Sequence, residues 1–452
     1  MSMDPVDLLV TDARLAGPGW GWMPRRGWLA VRQGRIAALG LAGEDAPDAL
    51  RRLDAKGATL LPGLRNGHTH GSEILLRGMA DGLVLEDWLG AIWSKLDSLS
   101  PGGMAAAIRL QALLSLRSGT TALVDHLRRT PMTDAVLEAA SAAYAETGMR
   151  VLIAVMLRDG AKADGSLIGA GHLTTVEAPK DQLTRIAAAA RDLSSQRIGF
   201  ALGPSASGRC SDAMLDGIAA LSGTASLPIH VHVAETAREV AEEVERFGMG
   251  PYARLAARGV LGPRTACAHC VHAGDADVAL LAEAGAVVVH NPVSNLRLGS
   301  GIADVPRFRR SGIAVALGTD GSASNDGADL WESLKFAALL PRREGLEEAG
   351  GWSAPGWLDM AVSTGASALS PGGSDVQALT VGAPADFCLY PPVEAPLLED
   401  ESFPAALLLS GPRRPSHVVV DGELLLEDGE FTRLDEARIV ADARQAALEV
   451  LS

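Results

Sequence analysis

"LLPGLRNGHTHGS", residues Leu60–Ser72, closes an apolar run with Pro62 and Gly63 and then sets two histidines on either side of a single threonine. On a strand, side chains at i and i+2 share a face, so His68 and His70 aim at one point from the end of a buried strand. Two converging imidazoles suggest a metal. An HxH pair on its own also fits a structural role, and a site needs further ligands from elsewhere in the chain.

Short aliphatic or β-branched runs recur downstream: "TTALVDH", "RVLIAVMLR", "IGFALGPSA", "LPIHVHVAE", "RTACAHC", "AVVVHNPVSN" and "IAVALGTDG". Between them lie alanine-rich segments of helical period, such as "GGMAAAIRLQALLSLRSG" and "DAVLEAASAAYAETG". Near-continuous apolar strands alternating with helices indicate a parallel sheet covered on both faces. With the "LLPGLRNGHTH" strand, eight such units predict an α/β fold, a (β/α)8 TIM-type barrel over residues 61–380. Residues 1–60 and 381–452 read instead as short strands and turns, the latter ending in a helix. These two ends are expected to meet as one small β-sandwich domain.

A chain of 452 residues accommodates a large barrel with additions. Its formal charge of −15 and lack of a basic block argue against nucleic acid as partner. Four scattered cysteines cannot frame a disulfide scaffold, and the start "MSMDPVDLLV" lacks a secretion signal's basic and apolar regions. No uncharged apolar stretch approaches the roughly 18–20 residues that span a bilayer. A cytoplasmic, reduced protein with no membrane partner is the expectation, and a homodimer is the commonest assembly for such a chain.

The strand ends carry the chemistry. Seven of the ten histidines close a predicted strand or follow one: His68, His70, His230, His232, His269, His272 and His290. Asn291 and Asn295 follow the seventh strand, Asp320 the eighth. Chemistry in this fold sits at the strands' C-terminal ends. Three histidines and an aspartate from strands one, five and eight suit a divalent metal with a position open to water, zinc first and iron second.

In combination, "PGLRNGHTH", "VHVAET", "AHCVH", "HNPVSNLRLGSG", "LGTDGSASND" and the closing "VGAPADFCLY" and "VVVDGELL" resemble the amidohydrolase superfamily. The likeness covers nearly the whole chain and is strongest to the cytosine deaminase, chlorohydrolase and S-adenosylhomocysteine deaminase branch. It implies His68, His70, His232 and Asp320 as metal ligands, with Glu235 and His269 lining the bound water and substrate. It further implies that Asp320 takes the proton of the attacking water, that Glu235 protonates a ring nitrogen and that His269 polarises the attacking oxygen. The expected reaction is hydrolytic deamination of an aminated purine, pterin, pyrimidine or triazine, with release of ammonia. Dechlorination, N-dealkylation or cyclic amide hydrolysis at the same site is the alternative.

Other readings are weaker. Many binuclear relatives use a lysine at the end of strand four, but here that strand ends "ALGPSASGRC", which favours one metal. Cytidine-type zinc deaminases need HxE and PCxxC, and neither occurs, so Cys267 and Cys270 are expected to pack the barrel. No phosphate loop opens a helix, and a non-catalytic scaffold is disfavoured because every ligand position is filled. His230, two residues deeper than His232, is expected to be a hydrogen-bonded core residue. Glu235 has opposite parity to His232 and reaches the site only if the strand has ended before it.

Substrate contacts are the least defined. Nucleoside-type relatives carry GPHAPYTCS after strand four, where this chain has "GPSASGRCS", with Ser205 in the histidine's place. Arg77, Trp88, Ser205, His290, Asn291 and Asn295 are the candidate contacts. Trp93 and Trp88 also fit the buried face of an amphipathic helix. Arg128 and Arg129, just past strand two, could meet an anionic substituent, but fit solvated surface positions better.

Overall fold

The computed structural model describes residues 4–160, 177–344, 353–362, 379–394, 396–412 and 414–451. Five strands open the chain: β1 (Val6–Leu15), β2 (Arg25–Arg32), β3 (Arg35–Leu41), β4 (Ala49–Asp54) and β5 (Thr59–Pro62). Eight follow at wider spacing: β6 (Leu64–Thr69), β7 (Thr120–Leu127), β8 (Arg150–Leu157), β9 (Ile198–Pro204), β10 (Ile229–Val233), β11 (Thr265–His269), β12 (Val287–His290) and β13 (Val315–Leu317). Four more end the chain: β14 (Phe387–Tyr390), β15 (His417–Val420), β16 (Glu423–Glu427) and β17 (Glu430–Phe431).

The outer strands form one sheet, ordered β17-β16-β15-β14-β5-β1-β2-β3, with β4 pairing β1. Its centre joins the two chain ends, since Phe387–Tyr390 run antiparallel to Thr59–Pro62. The tight β15–β16 and β16–β17 connections are Asp421-Gly422 and Asp428-Gly429, each with both residues at positive φ, the geometry that matches a hairpin's twist. Leu8, Val10, Leu29, Val31, Leu60, Phe387, Leu389 and Val419 bury its apolar face.

The middle strands form a parallel sheet in sequence order, β6 to β13. It closes where the Asp320 N–H donates to the His68 carbonyl at 2.9 Å. The expected TIM-type barrel and outer sheet are therefore both present. One detail differs from the reading of "LLPGLRNGHTH" as a single strand. Thr59–Pro62 belong to the outer sheet, Leu64–Thr69 to the barrel. Pro62 and Gly63 break the run, and Gly63 is obligatory for space: a Cβ there would meet Thr121 Oγ1 at 2.1 Å.

Strand alternation sorts the barrel into two layers. Leu123, Leu127, Val231, Val233, Cys267 and Val288 join the large core between barrel and helices. Small lumen clusters form from Val124, Leu152, Ala154 and Ala201, and from Ala266, Val287, Val289 and Ala316. After β6, α1 (Leu85–Leu96) and α2 (Pro101–Arg117) follow in succession. The second is capped by Ser100, whose hydroxyl accepts from the Gly103 N–H. Trp88, Leu89, Ile92, Trp93 and Leu96 bury one face of α1, as an amphipathic helix should. Among the described residues no helix is long and apolar enough to cross a membrane.

Candidate active site

The lumen-facing residues at the C-terminal strand ends converge. His70 lies one residue past β6 with extended backbone (φ −126°, ψ 95°), so it keeps the strand's alternation and shares a face with His68. His232 Nε2 lies 3.3 Å from His70 Nε2, and Asp320 Oδ1 lies 3.2 Å from His68 Nε2 and 3.5 Å from His70 Nε2. Donors about 2.0–2.1 Å from a tetrahedral divalent cation stand about 3.3 Å apart, which these separations match.

The second nitrogen of each ring explains the convergence. His70 Nδ1 donates to the His126 carbonyl (2.7 Å) and His232 Nδ1 to the Ser205 carbonyl (2.6 Å). His68 Nδ1 is 2.8 Å from His230 Nε2. Each bond fixes a tautomer and leaves Nε2 facing the common point. His68 Nε2 is itself buried, and Asp320 Oδ1 beside it does not meet it in the geometry of a regular hydrogen bond. Three imidazole nitrogens and one carboxylate oxygen fit a divalent metal.

Asp320 sits at φ +65°, and Ala234, His269 and Cys270 also have positive φ (48°, 71° and 51°). Non-glycine residues enter this region at a cost of about 1–3 kcal/mol each, and they do so here at the ends of β10, β11 and β13. The Asp320 Oδ2 accepts from the Ser294 hydroxyl, and Oδ1 accepts from the Gly321 N–H (2.8 Å). Burial disfavours its charge, but the bond to His68 and the nearby imidazoles outweigh burial and hold the carboxyl well below its usual range.

Glu235 meets the condition set by its parity. Strand β10 ends at Val233, and the turn at Ala234 brings the carboxylate Oε1 to 3.7 Å from His269 Nδ1. Burial, with Asp320 adding and His269 opposing, pushes its pKa up to about 7. By strand alternation His269 would share the outward face of Cys267. Its positive φ turns it inward instead, and Nδ1 bonds Asn295 Oδ1 at 2.8 Å.

The remaining candidates divide. Asn291 is buried with both side-chain polar atoms unpartnered, and Oδ1 lies against Gly318 beside His68. Asn295 keeps an unpartnered Nδ2. Ser205 is buried above His232. Trp88 is buried in α1 with its indole N–H unpartnered. His290 is buried but shares the strand face of Val288, in the barrel–helix layer; burial, then His269, lowers its pKa to about 3. Arg77 is exposed at the end of the 3-10 turn Gly71–Leu76 and bonds no described side chain, so it is not brought to the cluster. His272 bonds the Ser300 carbonyl in a loop (2.9 Å).

Arg128 corrects the surface expectation. It is buried, paired with Asp97 at 2.8 Å and bonded to the Trp93 carbonyl at 2.9 Å; Arg129, half-buried, donates to the Leu99 carbonyl.

Three further residues escape the sequence reading. His126 is the lumen-facing residue near the end of β7, donating through Nε2 to the Gly203 carbonyl (3.0 Å). "TTALVDH" ends on it, the same signal that exposed the other histidines. His68, His126 and His230 form a deeper triad with one nitrogen of each within 4.8 Å of the others, and within it His68 Nδ1 bonds His230 Nε2. Ser294 lies inside "HNPVSN", between the two asparagines that were singled out. Glu73, three residues past His70, is buried beside Gly321 with Oε2 unpartnered; burial, then Asp320, raises its pKa well above the usual range.

Comparison with known proteins agrees with this geometry. The amidohydrolase family model matches residues 59–425. A 5'-deoxyadenosine deaminase of Methanothermobacter thermautotrophicus is 34% identical over 99% of this chain and 100% of its own length. A 5-methylthioadenosine/S-adenosylhomocysteine deaminase of Halobacterium salinarum is 34% identical over 92% of each chain. The crystal structure of an adenosine deaminase from Xanthomonas campestris, with bound zinc, superposes with a TM-score of 0.87 at 29% identity over 99% of both chains. With the family model spanning most of the sequence, and such relatives matching it nearly end to end, the chain belongs to the amidohydrolase family.

Proposed function

We propose that this site hydrolyses the exocyclic carbon–nitrogen bond of an aminated nitrogen heterocycle, releasing ammonia and leaving a ring carbonyl. The observation that carries the reading is Glu235, a buried carboxyl with a pKa near 7, held beside a cluster of three imidazole nitrogens and a carboxylate. A carboxyl that keeps its proton near neutrality suits protonation of a ring nitrogen, which makes the adjacent carbon electrophilic. The names of these three relatives place the amino group on adenine-type rings, which favours an aminopurine.

His68, His70, His232 and Asp320 would hold a single zinc ion, which supplies a solvent molecule activated at neutral pH. Asp320, kept ionised by its imidazole neighbours, accepts a proton from the attacking water and returns it to the departing amine. Ser294 holds the second Asp320 oxygen so that only Oδ1 faces the cluster. His269, oriented by Asn295, donates to the oxygen that becomes the carbonyl. Glu235 delivers its proton to the ring nitrogen. Helix α1 is tied beside Glu235 where the Thr236 hydroxyl donates to Glu86 (2.8 Å), a position from which it would keep bulk water from the reacting carbon.

A panel of aminopurines, pterins, aminopyrimidines and aminotriazines, assayed for ammonia release with zinc-replete protein, tests the reading. Turnover of an aminopurine is the expected result. Release of chloride or alkylamine from triazines with no ammonia from any substrate would replace it.

A further inference from the structure

Three consecutive barrel strands each deliver an arginine beyond their ends: Arg128 after β7, Arg158 after β8 and Arg209 in the turn after β9. Their guanidinium carbons lie 4.4, 4.8 and 5.4 Å from the centre of the Trp93 ring. An indole attracts cations weakly, by about 0.5–2 kcal/mol each, which does not offset crowding three positive groups in a buried space. Asp97 pairs with Arg128, and Glu239 stands 3.7 Å from Arg209. Among the described residues, the Arg158 side chain donates only to the Thr130 hydroxyl (2.9 Å). It is 5% exposed, and its Nε and Nη1 are buried with no hydrogen-bond partner among the described residues. Burial, then Arg128, lowers its pKa to about 9 against the opposing charge of Asp97, which leaves it charged at neutrality with no carboxylate in ion-pair contact among the described residues.

The cluster adjoins the reacting centre through Arg209. Arg209 Nη1 bonds the Ser205 hydroxyl (3.4 Å), and the Ser205 carbonyl holds His232. Glu239, beside Arg209, also accepts the Glu235 N–H at 3.1 Å. In "GPSASGRCS" the small Ser205 thus leaves room that a guanidinium from the same turn occupies.

We propose that Arg158 and Arg209, with Trp93 as a flat floor, form a subsite for an anionic substituent of the substrate, a carboxylate or a phosphate. The proposal rests on the deaminase reading and deepens it: the heterocycle carries an acidic arm directed toward β8 and β9. The unpartnered Nε and Nη1 of Arg158 are charged donors, each able to make its own charge-assisted hydrogen bond to a carboxylate or phosphate oxygen.

The test uses aminopurines that differ only in whether the N9 arm ends in a carboxylate, a phosphate or an uncharged hydroxyl. Wild-type protein is expected to favour at least one acidic arm over the hydroxyl by about tenfold to a hundredfold in kcat/KM, the range of one or two charge-assisted hydrogen bonds. The better arm distinguishes carboxylate from phosphate. Arg158→Gln and Arg209→Gln are each expected to reduce that ratio at least fivefold. Calorimetric titration with inorganic phosphate or acetate gives a readout without turnover, expected to show binding that Arg158→Gln weakens. Equal kcat/KM for charged and uncharged arms in the wild type would overturn the proposal whether or not either variant folds. Absence of ammonia from every arm, with anion binding intact, would instead sink the deaminase reading and leave the anion site standing.

Discussion

Replacing Glu235 by glutamine removes one proton and changes little else. The amide has the carboxyl's shape, and the backbone N–H bond to Glu239 that fixes the turn is untouched. General acid catalysis contributes roughly 100- to 10,000-fold. At about 1.4 kcal/mol per factor of ten, that corresponds to about 3–5 kcal/mol of barrier. The structure also sets a pH signature. With burial holding its pKa at about 7, Glu235 is half protonated at neutrality and gives up its proton as pH rises. A required acid is active only while protonated, so kcat/KM should fall about tenfold between pH 6 and pH 8. The assay is ammonia release from the best aminopurine across that range, with metal content measured on the same samples. Glu235→Gln should lower kcat/KM at least a hundredfold, abolish the decline between pH 6 and 8 and leave metal content unchanged. A variant that retains more than a tenth of wild-type activity, or a wild-type profile flat over the same interval, would refute the assignment of Glu235 as the acid.

Other perturbations separate support of the site from support of the fold. His230→Phe removes the group that fixes the His68 tautomer and should weaken metal binding about 10- to 100-fold, read by competition with a chelating dye. Ser294→Ala frees the second Asp320 oxygen and should weaken metal affinity or lower kcat by a similar factor, with the melting temperature little changed. Gly63→Ala drives a methyl into the Thr121 side chain at the junction of the two sheets and should cost about 1–3 kcal/mol, seen as a lower denaturation midpoint. Chelation should abolish turnover and lower the melting temperature, and added zinc should restore both, because the cation binds only the folded chain.

Which parts of this were legible in the sequence follows from range. The eight barrel strands are short apolar runs buried on both faces, so each is visible within its own residues. His68, His70, His232 and Asp320 stand out because polar groups ending such runs have no packing purpose. Glu235 was conditional, because alternation cannot say where a strand stops. The answer lies in the positive φ of Ala234, which no local pattern announces. Arg128 was misread for a related reason: arginine is normally exposed, and the Asp97 that neutralises it lies 31 residues away on the turn after α1. His126 carried the strand-end signal, yet its place is visible only in the lumen, where it packs between Gly203 and His232. The break at Gly63 illustrates a continuous pattern serving two sheets, and pairing partners more than 300 residues downstream decide which residues belong to which.

X-ray absorption at the metal edge of purified protein, together with metal analysis, tests the central claim most directly. The account predicts one divalent ion per chain, with three imidazole nitrogens and at least one oxygen at about 2.0–2.2 Å and no sulfur. Loss of that signal in a His70→Ala variant should accompany loss of activity. A sulfur shell, a metal–metal vector, or full activity in metal-free protein would contradict it.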